Sequence, residues 1–273
     1  MTDMNDELVF LGSGGGRIHV RTQHRATGGI LFKFNGIQAH IDPGPGAIIR
    51  INQFNEDPLK TELFFVTHLH TDHFISVLVM IEAARARFHD SQRNIIKRGT
   101  LITTPEIVDV IKFISQYHLD MLENIVPFGP GETYNYKGVN IVGTIAKHTE
   151  KQSFGIKFEL DDYSIAFTSD TMAFDEFPEQ FHGVNILVLN LLRPDSVSCR
   201  RHICTDEVIP LLNQINPVPN ALVITHFGAH MDSPRSDKNY VPSQVEKLKE
   251  KTNIKKIIAA EDGLKLKIID LLE

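Results

Sequence analysis

The sequence predicts an α/β protein, an αββα sandwich of two mixed β-sheets flanked by helices. Three observations carry that expectation. Short strand-like runs recur from residue 8 to residue 269, helical patterns are set between them, and several runs end on a single His or Asp. The strand-like runs are Leu8–Leu11, Ile30–Phe34, Gln38–Ile41, Leu63–Val66, Val139–Ile145, Gly155–Leu160, Ser164–Phe167, Ile186–Asn190, Ala221–Thr225, Ile257–Ala260 and Lys265–Ile269. They are brief and rich in β-branched and aromatic residues, as buried strands require. Helical patterns cover Ile75–His89, Pro105–Gln116, Thr205–Ile215 and Pro242–Lys251. Pro105 after Thr104 is a favourable helix start, and so is Thr205 before Asp206-Glu207. The stretch Ile75–Ile81 is apolar on all sides, so periodicity leaves strand or helix open. The Glu-Ala-Ala-Arg-Ala-Arg that follows favours helix. So many strands with interspersed helices imply two sheets packed face to face and covered by helices. No internal sequence repeat is visible.

A chain of 273 residues can form one large domain or two small ones. No Pro/Ser/Gly-rich linker, charge block or low-complexity tract marks a boundary, so one domain over residues 1–273 is expected. Hydrophobic content of 42% allows a sizeable core. The net charge of -6 and pI near 6.1 give no global attraction to nucleic acid. The acidic opening Met-Thr-Asp-Met-Asn-Asp-Glu lacks the regions of a signal peptide, and no apolar run approaches a membrane span. Cys199 and Cys204 are too few for a disulfide framework. The expected location is cytoplasmic, with no membrane partner and a homodimer left open.

Residues 67–73 read Thr-His-Leu-His-Thr-Asp-His, placing His68, His70, Asp72 and His73 just after the run Leu63–Val66. His-x-His puts two imidazoles on one side of an extended or tightly turned segment. Asp72 and His73 come round beyond the turn, so one loop can serve two ions. The same placement recurs elsewhere: His148 follows Val139–Ile145, Asp170 follows Ser164–Phe167, and His226 follows Ala221–Thr225. Open sheets gather their sites at the carboxyl ends of strands. Imidazole and carboxylate ligands without Cys suit zinc, iron or manganese, with a coordination position left open for water. Two divalent transition-metal ions are expected, zinc first, with Mn2+ or Fe2+ as alternatives.

The order His-x-His-x-Asp-His, then His, Asp and His, resembles the metallo-β-lactamase fold superfamily over nearly the whole chain. Gln38–Gly44 resembles its strand-end Asp-x-Gly, in which Asp42 would brace the site without ligating. Leu11–Gly15 and Ala260–Leu264 resemble the opening and closing glycine motifs of its ribonuclease Z and cyclic phosphodiesterase branch. The resemblance implies that His68, His70 and His148 hold one metal, that Asp72, His73 and His226 hold the other, and that Asp170 bridges them. It also implies two structurally similar halves. Arg200–Glu207 resembles the branch's His-x-(Ser/Thr)-x-x-(Glu/Gln) segment, with His202 and Glu207 in register and Cys204 where Ser or Thr is usual. There the His lies at a helix amino end, beside the metals, and stabilises the scissile phosphate or protonates the leaving oxygen. Asp72 and His202 are therefore the catalytic candidates. Arg200 and Arg201 add local positive charge that suits a phosphate.

Two adjacent cations lower the pKa of a shared water from 15.7 to about 7 and neutralise charge building on a phosphoryl or carbonyl oxygen. The expected activity is hydrolysis of a small or cyclic phosphodiester, or of a short nucleic-acid end. A thioesterase or lactonase, an RNA-processing nuclease and a non-catalytic metal sensor are the alternatives, since fold does not choose among them. Ribonuclease Z carries a long arm between the third ligand motif and the bridging Asp. Here His148 and Asp170 are only 22 positions apart, an interval that reads as two strands and a tight turn. Gly12–Arg17 is expected to be a plain turn near the site, and Arg25 has no role that the sequence supports. His19, His24, His40, His89, His118, His182 and His230 follow no ligand pattern.

Overall fold

Burial on both faces explains why the strand runs read as continuously apolar. The computed structural model describes residues 6–87, 89–92 and 94–273. The acidic opening through Asn5 lies outside the described residues, as does Phe88 within the expected helix Ile75–His89. The strands are β1 (Glu7–Phe10), β2 (Ile30–Phe34), β3 (Ile37–Ile41), β4 (Thr61–Val66), β5 (Thr100–Thr103), β6 (Asn124–Pro127), β7 (Thr133–Tyr136), β8 (Val139–Ile145), β9 (Phe154–Glu159), β10 (Ser164–Phe167), β11 (Ile186–Asn190), β12 (Ala221–Thr225), β13 (Lys256–Ala259) and β14 (Lys265–Lys267). The helices are α1 (Gly16–Thr22), α2 (Ala47–Gln53), α3 (Thr71–Phe74), α4 (Val77–Ala83), α5 (Pro105–Asp120), α6 (Phe177–Gln180), α7 (Thr205–Leu212), α8 (Val241–Lys251) and α9 (Ile268–Leu272).

Two seven-stranded sheets result, in the orders β14-β1-β2-β3-β4-β5-β6 and β13-β12-β11-β10-β9-β8-β7. In the first, pairing is antiparallel from β14 to β3 and parallel from β3 to β6. In the second it is antiparallel from β7 to β10 and parallel from β10 to β13. The two sheets thus repeat one pattern without a repeated sequence.

Side chains alternate between two interiors. Leu63 and Phe65 of β4 face the opposite sheet, whereas Phe64 and Val66 face the helices. On β12, Ala221 and Val223 face inward while Leu222 and Ile224 meet the outer helices. Phe158 is the hinge of the inter-sheet core, with ring centroids 5.1 Å from Phe32 and 5.4 Å from Phe65 in edge-on contact. Helices α2, α4 and α5 cover the first sheet; α6, α7 and α8 cover the second. The αββα layering is as the sequence predicted.

Several local expectations are corrected. The expected helix Ile75–His89 is shorter: α3 has already ended at Phe74, α4 runs over Val77–Ala83, and the chain leaves the helix at Ala84. Helix α4 buries Val77, Met80 and Ile81, but Arg85, Arg87, His89 and Asp90 offer no apolar stripe to continue that face. Helix α5 runs on to Asp120, broken at Ser115 (φ -163°, ψ 95°). The expected strand Lys265–Ile269 stops at Lys267, because Ile268 and Leu271 bury on one face of α9. The glycine run is no plain turn: it leads into α1. Among the described residues no helix is long and apolar enough to cross a membrane.

Candidate metal centre

Strand ends from both sheets converge at one seam. From the first sheet, β3 delivers Asp42 and β4 delivers His68, His70, Asp72 and His73, the last two on α3. From the second, β8 leads to His148, β10 to Asp170 and β12 to His226. Asp42, Ser169 and His226 turn the chain through the left-handed region, with φ of 51°, 56° and 61°. Non-glycine residues rarely adopt it, and its use at three strand ends concentrates strain at the site.

The seven side chains gather as two groups, His68 with His70, His148 and Asp170, and Asp72 with His73 and His226. In each, the potential ligand atoms lie within 4.8 Å of one another. His70 Nδ1 and His148 Nε2 are 3.1 Å apart, and His73 Nε2 and His226 Nε2 are 3.0 Å apart. Asp170 reaches both groups. Its Oδ2 is 3.9 Å from the Nε2 atoms of His68 and His148 and 3.5 Å from His73 Nε2, while its Oδ1 is 3.3 Å from His226 Nδ1.

The donor set fits metal ions. His73 Nδ1 donates to Asp42 Oδ2 at 2.8 Å, and His148 Nδ1 donates to the Arg201 carbonyl at 2.8 Å. Each bond fixes the tautomer that turns an Nε2 lone pair inward, as metal-ligating histidines require. His68 Nε2 and His226 Nδ1 are buried without a hydrogen-bond partner, an arrangement that a ligand would satisfy. Asp42 is itself secured by Thr67 N–H and Thr67 Oγ1, both at 2.8 Å, so the expected brace is present in geometry.

The electrostatics are those of a cation trap. Burial opposes ionisation of Asp170, yet His226 and His73 hold its carboxyl well below the usual carboxylate range. Asp72 is likewise held low, by His73 and His226 against the opposing effect of burial. Burial pushes His68 down. His73 is driven up against burial by the carboxylates of Asp170, Asp42 and Asp72, which converge on this ring.

His202 stands beside the two groups. Its Nδ1 is 3.5 Å from Asp170 Oδ2, and its ring centroid is 4.8 Å from that of His148. It lies just before α7, whose N-cap is Cys204: the Cys204 N–H donates to Glu207 at 3.0 Å in a capping box. Cys204 thus takes the place of the usual Ser or Thr. Burial, more than any neighbour, pushes His202 down to about 4, so the ring is neutral at pH 7 in the protein as it stands. Arg200 and Arg201 are exposed nearby in the chain. Arg25 is instead tied to Asp232, at 2.6 Å from Nε. His24 also pairs with Asp232, His118 with Glu82, and His182 accepts from Asn216 N–H.

Sequence reasoning missed several supporting residues. Asn190 Nδ2 donates to Asp170 Oδ1 at 2.8 Å, and Ser169 Oγ donates to Thr67 Oγ1 at 2.8 Å. Glu150 accepts from Leu69 N–H at 3.1 Å, between the candidate ligands His68 and His70. Asn190 ends the run Ile186–Asn190, the same strand-end placement that singled out Asp170, and that signal could have found it.

The family model for the beta-lactamase superfamily domain matches residues 39–227, a span that includes Asp42 and all seven ligand candidates. The chain belongs to the beta-lactamase superfamily. An uncharacterised protein of Methanocaldococcus jannaschii is 33% identical over 273 residues, covering 98% of this chain and 97% of that one. Ribonuclease Z of Thermococcus kodakarensis is 24% identical over 169 residues, 58% of this chain and 52% of that enzyme. Among solved structures, the metallo-β-lactamase fold protein YhfI of Bacillus subtilis superposes with a TM-score of 0.76 at 13% identity, covering 96% and 98% of the two chains. A diphosphatase of the PhnP family gives 0.69 at 20% identity, covering 96% and 97%. The short form of human tRNase Z gives 0.69 at 15%, covering 96% and 99%. At such identities these neighbours establish the metallo-β-lactamase fold.

Proposed function

We propose that this superfamily member is a dinuclear metal-dependent hydrolase acting on a small or cyclic phosphodiester or a nucleotide end. The observation that carries the reading is the reach of Asp170 into two adjacent ligand groups, its Oδ2 3.9 Å from the Nε2 atoms of His68 and His148 in one and its Oδ1 3.3 Å from His226 Nδ1 in the other. His68, His70 and His148 would hold one cation, and Asp72, His73 and His226 the other, Zn2+ first and Mn2+ or Fe2+ otherwise. Two such cations supply hydroxide near neutral pH and neutralise charge on a phosphoryl oxygen. The chain's own part is orientation and proton placement. Asp42 and the Arg201 carbonyl fix two ring tautomers, and Asn190 fixes the orientation of the Asp170 carboxylate through its Oδ1. His202 donates a hydrogen bond to a phosphoryl or leaving oxygen, and the exposed Arg200 and Arg201 favour an anionic substrate.

A compact substrate is favoured because the interval between His148 and Asp170 is filled by the hairpin β9–β10, with four residues between its strands. The ribonuclease Z of Thermococcus kodakarensis, matched over about half its length, supports a second reading in which the substrate is an RNA end.

Purified protein loaded with zinc or manganese is assayed on a nitrophenyl phosphodiester, a cyclic nucleotide, a short RNA, a thioester and a lactone. Turnover of phosphodiesters alone, at close to two metals per chain, is expected. Turnover of the thioester or lactone alone refutes the substrate class, and a ratio below one metal after loading refutes the dinuclear centre.

A further inference from the structure

The Gly12–Gly16 turn, Arg25 and Asp262 supply no ligand, yet they form one connected brace around the second ligand group. Asp262 Oδ1 accepts from Ser13 N–H at 2.9 Å and from Ser13 Oγ at 2.8 Å, and its Oδ2 accepts from Ala26 N–H at 2.7 Å. Ser13 Oγ also accepts from Arg25 Nη1 at 2.9 Å. The Arg25 guanidinium carbon lies 4.9 Å from the centre of the Phe227 ring, next to His226 in the chain. The backbone closes the circuit. Phe227 N–H donates to the Ser13 carbonyl at 2.9 Å, and Gly15 N–H donates to the Phe227 carbonyl at 3.0 Å. At the end of the turn, Gly16 N–H donates to Asp72 Oδ2 at 2.6 Å, the oxygen that stands 3.3 Å from His226 Nε2.

We infer that Asp262 is a positioning residue for the second ligand group: its carboxylate fixes the turn whose Gly16 amide holds Asp72 in place. The inference rests on the dinuclear reading above. Both ends of the chain meet here, since Asp262 and Ser13 are 249 positions apart, and neither touches a ligand side chain directly. Asp262 acts through the turn on Asp72 and through Phe227 on His226. The first group, His68 with His70 and His148, has no hydrogen bond to this brace. The brace therefore predicts a selective effect, in which one metal is weakened and the other is not. Outer partners of metal ligands typically change affinity about 10–100-fold.

The test is zinc titration of chelator-stripped protein against a chromophoric chelator, with melting temperatures taken in parallel. Wild type should show two binding events, and Asp72→Ala identifies the one belonging to the second group. Asp262→Asn should weaken that event about tenfold or more and leave the other unchanged. Ser13→Ala keeps the backbone bond to Asp262 and should weaken the same event by less. Asp6→Asn is the control for a plain fold brace, because Asp6 accepts from Asn35 N–H at 2.9 Å and from the Tyr163 hydroxyl at 2.7 Å. It should lower the melting temperature with both events intact. Equal weakening of both events in Asp262→Asn, or none with only a lower melting temperature, overturns the inference. If Asp262→Asn fails to fold, Ser13→Ala is judged by the same criterion. A single event in wild type instead refutes the dinuclear reading.

Discussion

Gly15→Ala isolates a steric effect on one ligand. Gly15 has φ -141° and ψ 163°, extended backbone open to any residue, so alanine brings no conformational penalty there. Its Cβ, however, would lie 2.2 Å from His226 Cε1 and 2.3 Å from both ring nitrogens. A relaxed carbon contact needs about 3.5 Å, so ring and turn must separate by about 1 Å. The ring has little room, because His73 Nε2 stands 3.0 Å from its Nε2 and Asp170 Oδ1 stands 3.3 Å from its Nδ1. Overpacking of this kind costs about 1–3 kcal/mol. At about 2.1 cal/mol/K of unfolding entropy per residue, this chain length gives roughly 0.6 kcal/mol/K and a fall of about 2–5 °C in Tm. Elemental analysis should show one metal lost and one kept, and the Tm fall should persist in chelator. Wild-type metal content and Tm in Gly15→Ala would show that the packing of turn against ring does not constrain the site.

Asp170→Ala should lose both metals and activity together, more completely than any other single ligand change, whereas Asp42→Ala should chiefly lower Tm; metal content and melting curves separate the two. His202→Ala should reduce kcat about 10²–10⁴-fold on a phosphodiester with a poor leaving group while both metals stay bound. The loss should shrink with a nitrophenolate, and equal loss on good and poor leaving groups with a lower Tm would make His202 structural. His40 is fully buried, and burial pushes it from 6.5 down to about 4. The unfolded chain takes up this proton first as pH falls. The contribution of neutral His40 is therefore complete above pH 6.5, is lost between 6.5 and 4, and amounts to about 3 kcal/mol. His40→Gln, which keeps a donor for the Gly28 carbonyl, should flatten the fall in Tm across that window; an unchanged slope refutes it.

The candidate ligands were legible because His68, His148, Asp170 and His226 each come shortly after a strand-forming run. Their division into two groups came only through the family resemblance, since spacing along the chain does not say which rings meet across the seam. Three strands were illegible for local reasons. Asn-Ile-Val-Pro of β6 and Thr-Tyr-Asn-Tyr of β7 are half-exposed edges, and Thr-Leu-Ile-Thr of β5 has only two apolar residues. Helix α1 starts in glycines with no side-chain cap, so neither start signal nor apolar stripe announced it. The tie from Ser13 to Asp262 depends on a contact that no local pattern encodes.

The left-handed strand ends at Asp42, Ser169 and His226 set this site against the thermal resistance of its own fold. Each such residue costs of order 1–2 kcal/mol relative to a relaxed backbone. Glycine would relieve that cost at any of the three, and at two of them it would delete the side chain that braces or forms the site. At Ser169 it would delete only the hydroxyl that reaches Thr67. Selection for heat tolerance alone would therefore drift toward glycine at these corners and erode the centre. Persistence of aspartate, serine and histidine there across generations would mark a lineage still selected for its chemistry.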